Sequence, residues 1–153
     1  MILPLNKGKI SYFVPLIPHS SILIPMNVLL RLAVAFIFLT HGCTRIYIDG
    51  VTPFGEQFLN AVGFAPFGLY IAWAITLFEL VGGTLLLFGK FVRPIALVFI
   101  FNLLMGIILV HFKEGWFVVG AGRNGFEYSF LLIVCLLVIA FPNVEMAGMR
   151  DEK

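Results

Sequence analysis

The chain has 153 residues, 61% of them hydrophobic and 12% charged, against about 45–50% and about 25% in an average soluble domain. Ten basic and eight acidic side chains are too few to cover a water-soluble domain of this size, so lipid is the implied solvent. Seventeen phenylalanines exclude disorder, which is poor in aromatics, and a scattered net charge of +2 excludes the basic stripe of a nucleic-acid binder.

Residues 1–24 contain Pro4, Pro15 and Pro18, which break helix, and have neither the uninterrupted apolar centre nor the small-residue cleavage site of a secretory signal. They are expected to form an interfacial, partly extended arm. Crossing a hydrocarbon core of about 30 Å takes about 20 apolar residues, and four runs approach that length. The first covers residues 25–46, opens on Pro25 and carries Arg31. The second, 66–88, is interrupted by Glu79, and the third, 93–112, holds Asn102 and ends near His111. The fourth, 125–141, is near the lower length limit and stops at Pro142. Between them the sequence predicts a longer loop at 47–65, a tight turn at Gly89-Lys90 and a glycine-rich loop at 113–124. The fold class is therefore an all-α membrane protein, a four-transmembrane-helix bundle over residues 25–142 with a short tail at 143–153.

Basic residues favour the cytoplasmic side. Lys7, Lys9, Lys90, Arg93, Arg150 and Lys153 fall on one side, against Arg45, Lys113 and Arg123 on the other. Both termini are expected in the cytoplasm, with the chain in the inner membrane. Cys43 and Cys135 differ in axial position by roughly 9 Å, more than the roughly 7 Å between Cα atoms that a disulfide permits, so they should not pair.

A charge at the bilayer centre costs roughly 2.5–3.5 kcal/mol on insertion scales and normally has a partner. Counted from the helix ends at 1.5 Å per residue, Arg31, Glu79 and Asn102 come within about 5 Å of one depth, inside the reach of an arginine. They are expected to form a buried polar layer in which Arg31 pairs with Glu79. The layer could equally serve to tie helices together, because Ala72, Thr76, Gly82 and Gly83 lie on or near the face of Glu79 and small residues allow close approach. A second, outer layer comprises His41, Arg45, His111, Arg123 and Glu127. Singly these are interface residues; together they could hold an anion, a quinone head group or a metal, or handle a proton. Two imidazoles and a carboxylate match a facial-triad metal site only in residue type, without its spacing, and no metal site is expected. Gly120 to Gly125 matches GxGxxG in letters but lies between membrane helices, without the strand and acidic residue of a dinucleotide site. The expected role of its glycines is a tight re-entrant path.

These features, in this order, resemble the DoxX family of small four-helix membrane proteins. The marks are LLRLAVAFIFLTHG, Phe78-Glu79 followed by Gly82-Gly83 and LLLFGK, Val110-His111 with Glu114-Gly115-Trp116-Phe117, and Gly125-Phe126-Glu127-Tyr128. The resemblance covers residues 28–141; Arg45 stands where the family often has Lys. It implies association with quinol oxidase or thiosulfate:quinone oxidoreductase complexes, or with oxidative-stress assemblies at the membrane. No CxxCH haem motif or iron-sulfur cysteine set is present in the sequence. The expected role is an accessory or quinone-site subunit beside redox enzyme subunits, with no covalent cofactor and with quinone or quinol as the ligand. A small proton or anion carrier and a purely structural assembly subunit are the alternatives.

Overall fold

Pro25 fixes the backbone just before the first apolar run, and a helix follows at once: α1, Met26–Tyr47. The structure, a computed structural model, describes residues 25–120 and 122–142; the arm, the tail and their basic residues lie outside these. After α1 come α2 (Pro53–Phe64), α3 (Gly68–Leu87), α4 (Val92–Glu114) and α5 (Glu127–Ala140). The described residues contain no strand. Three helices, α1, α3 and α4, are long and apolar enough to cross a membrane. The fourth run is shorter than expected: α5 has 14 residues, about 21 Å of rise.

The expected loop at 47–65 is largely helical. Its Pro53–Phe64 stretch forms wide, π-type turns lying along the start of α3, with Val51 and Leu59 buried against Ala72. Close approach here depends on two glycines: a Cβ on Gly68 would strike the carbonyl of Gly55 and the side chain of Asn60. The Asn60 side chain instead accepts the Gly68 N–H at 2.9 Å. At the other end of α3, Gly89 adopts φ +71°, its N–H donates to Leu86 O and that of Lys90 to Leu85 O. This left-handed cap satisfies the last carbonyls of α3 and makes α3 and α4 an antiparallel hairpin.

α1 packs chiefly on α3 and α4 on α5. The α1–α3 register is set by small residues: a Cβ on Gly42 would stand 3.0 Å from Leu80 and 3.3 Å from the Glu79 Cβ, and one on Gly83 would stand 3.0 Å from Leu39. Glu79 is therefore level with Gly42, whereas Arg31 lies level with Gly89. The two are eleven positions apart along this register, about 16 Å, so the expected Arg31–Glu79 layer does not form. Helix ends are not flush here: α1 overhangs the α3–α4 turn. The apolar core lies between these levels. It is built from Val34, Ala35, Phe38, Leu86, Ala96, Phe99 and Leu136, with Phe99 stacked on Phe38 at 3.7 Å between centroids and meeting the edge of Phe78 at 4.9 Å. Outward-facing Phe36, Leu77, Val81, Phe101, Ile108 and Val134 are exposed, an apolar surface suited to lipid.

Candidate functional site

Glu79 is only 4% exposed, midway along α3, and its partner comes from the last turn of α1. Arg45 Nη1 donates to Glu79 Oε2 at 2.7 Å and Nη2 to Oε1 at 3.3 Å, a fork on one carboxylate. Nη1 also donates to Thr76 Oγ1 at 3.0 Å, and that hydroxyl donates to Ala72 O at 2.7 Å. The guanidinium carbon stands 4.8 Å from the centre of the Phe54 ring of α2, an arrangement that favours a cation over the ring face. The buried carboxylate thus has a charge partner, which desolvation makes necessary.

Two cavities, of about 290 and 230 Å³, adjoin at Glu79. Glu79, Asn102, Leu103, His111 and Ser129 line both. His41 and Tyr128 line the larger and Arg45 and Phe58 the smaller. Asn102 and His111 are nine residues apart, about 180° on a regular helix, yet they border the same space. The turn at Ile107–His111 is π-type; it takes up one extra residue, which withdraws about 100° and leaves about 80° between them. His111 Nδ1 lies 2.6 Å from Asn124 O. A carbonyl only accepts, so Nδ1 carries the hydrogen and Nε2 is the acceptor of the neutral ring.

The expected inner and outer layers are therefore redistributed. Glu79 and Asn102 join His41, Arg45 and His111 around the cavities, while Arg31 lies at the opposite end of the bundle. Arg123 is exposed, and neither it nor Glu127 lines the two cavities. Glu127 Oε1 instead accepts the Val118 N–H at 2.9 Å, and its own N–H donates to Trp116 O, so it ties the glycine-rich loop to the start of α5. Gly125 of that loop is buried, and a Cβ there would collide with the Trp116 carbonyl, so the glycine serves close backbone approach. Ser129 and Thr76 were missed as lining or bonding residues. Ser129 shares a helical face with Leu132 and Leu136, and Thr76 precedes Glu79 by three positions, spacings that put each toward the interior. Cys43 and Cys135 are both free. Among the described residues, no group of three or more His, Cys, Asp or Glu side chains is placed to hold a metal.

The DoxX family model matches residues 26–112, a span that includes the Arg45–Glu79 pair, Asn102 and His111. The chain belongs to the DoxX family. It is 32% identical over 107 residues to a Bacillus subtilis (strain 168) protein named "Putative oxidoreductase CatD", an alignment covering 69% of this chain and 72% of the relative. No solved structure matches it significantly. Family and helices together make this DoxX protein a multi-pass membrane protein.

Proposed function

We propose that this DoxX protein is an accessory or quinone-site subunit of a membrane oxidoreductase complex in the inner membrane, with the two adjoining cavities receiving a quinone or quinol head group. The observation that carries this reading is the convergence of His111, Asn102, Ser129 and the Arg45–Glu79 pair on one partly apolar space inside the bundle. The imidazole, oriented by Asn124 O, offers an acceptor to a quinol hydroxyl, and the Asn102 amide and Ser129 hydroxyl can donate to quinone carbonyls. Leu103, Phe38 and Phe58 supply apolar walls, the usual composition of a small-molecule site. The relative's name, which includes oxidoreductase, agrees with such a role. Redox chemistry itself would reside in partner subunits. α5 acts as the fourth span, and both termini face the cytoplasm. A carrier or channel would need a polar path from end to end, and the apolar core with the Phe38–Phe99 stack between the two polar ends favours the first reading.

Binding of a short-chain quinone analogue to the purified protein, followed by quenching of tryptophan fluorescence, tests the reading. His111→Ala should weaken binding about tenfold or more, the loss of a hydrogen bond to a buried partner, whereas Glu127→Gln should leave it unchanged. Equal affinity in the wild type, His111→Ala and Asn102→Leu would refute it.

A further inference from the structure

The opposite end of the bundle has its own cavity, of about 270 Å³, between the starts of α1 and α4 and the end of α5. Arg31, Arg93 and Asn27 supply its polar groups, and Val28, Val92 and Ile139 its apolar wall. The Arg31 guanidinium lies against the α3–α4 turn, where a Cβ on Gly89 would stand 2.8 Å from Nη1. The negative end of the α3 dipole is favourable to it there. Its Nε is nevertheless buried without a hydrogen-bond partner among the described residues, a condition that native structures rarely leave unmet. Arg93 is held with its guanidinium carbon 4.6 Å from the centre of the Phe141 ring.

Carboxylates are segregated along the bundle. The acidic side chains among the described residues are Asp49, Glu56, Glu79, Glu114 and Glu127, and all belong to the half that holds the Arg45–Glu79 pair or to the segments beyond it. The Arg31 end carries Arg31, Lys90 and Arg93 and no described carboxylate. No described carboxylate offers these cations a counter-charge, so an anion for them would come from outside the described residues. We propose that this cavity binds the phosphate of an anionic phospholipid, with Arg31 and Arg93 on the phosphate oxygens and the glycerol and upper acyl chain on Val28, Val92 and Ile139. A phosphate suits guanidinium forks better than any neutral group does, and basic pockets between membrane helices are favourable to anionic head groups. Lipid is the favoured source because one wall of the cavity is apolar and the neighbouring Met26, Leu29 and Phe91 are exposed apolar residues, which a soluble phosphate would not use.

The test is native mass spectrometry of the full chain released from detergent after incubation with phosphatidylglycerol, phosphatidylcholine or inorganic phosphate. One phosphatidylglycerol should be retained with about tenfold preference over phosphatidylcholine, and Arg93→Gln should reduce that retention about tenfold, the scale of one charge-assisted hydrogen bond. Arg31→Gln should do the same, and Arg31→Lys should restore part of it. Arg93 is exposed, so its variant reads binding even where Arg31→Gln fails to fold. Glu145, Asp151 and Glu152, changed together to Gln, should leave retention unchanged. Equal retention of both lipids, indifference to Arg93→Gln, displacement by millimolar phosphate, or lipid binding only after the tail carboxylates are removed would each overturn the proposal.

Discussion

At the scale of the residue, the Arg45–Glu79 contact decides how a carboxylate can sit midway along an apolar helix. Coulomb attraction is strong where water is excluded, but desolvation of both ions opposes it, and the balance depends on hydrogen bonds to every available lone pair. Here the planar fork engages both carboxylate oxygens and the Thr76 hydroxyl as well. Arg45→Met should strand the Glu79 charge and destabilise by about 3–5 kcal/mol. Thr76→Val should cost only about 1 kcal/mol. Arg45→Met with Glu79→Leu should cost less than the two single changes summed, read from unfolding in detergent; additive losses would mean that the groups act separately. Both residues were legible in the sequence as functional candidates, but their pairing was not. Depth counted from helix ends cannot see the register, which here depends on how closely Gly42 and Gly83 let α1 and α3 approach.

At the scale of the element, the π-type turn in α4 governs which side chains share a cavity. A regular count separates Asn102 and His111 by half a turn, and nothing in the residue pattern of α4 announces the widened turn that brings them together. Deleting exposed Ile108 should convert this turn to regular helix; eight steps then separate Asn102 from the histidine, again about 80°. Quinone-analogue affinity and the helical circular dichroism signal should both survive. Deleting Val98, also exposed but in the regular part of α4, should rotate Phe99 out of the core by about 100° and abolish folding. Equal tolerance of the two deletions would remove the turn's assigned role. α2 was illegible for a different reason. Its Glu56, Gln57 and Asn60 interrupt a stretch bounded by Pro53 and Pro66, too short to span, and its helix depends on tertiary packing against Ala72.

At the scale of the whole molecule, the apolar runs were legible because lipid imposes their length and composition directly. The order α1, α3, α4, α5 follows from them. The confinement of the described carboxylates to one end was only partly visible, since it emerges once the antiparallel register brings Arg31 level with the α3–α4 turn. The sequence puts Lys7, Lys9, Lys90, Arg93, Arg150 and Lys153 on the Arg31 side against Arg45, Lys113 and Arg123 on the other, and this excess predicts the orientation of the bundle. Fusion reporters at both termini should read cytoplasmic, and a reporter in the loop at residues 115–126 should read external. A cytoplasmic signal from that loop would reverse the orientation.

The same ion pair bears on how the chain enters the bilayer during synthesis. Arg45 and Glu79 are separated by 34 residues, which a ribosome adding about 5–20 residues per second covers in about 2–7 s. Arg45 emerges first, in the last turn of its helix, where a long side chain can keep its charge in the aqueous layer while it waits. Glu79 is short and falls in the middle of the next long helix, where waiting would be costly. The order of the genetic message thus brings the member that tolerates delay ahead of the member that does not, and the carboxylate meets its cation on arrival.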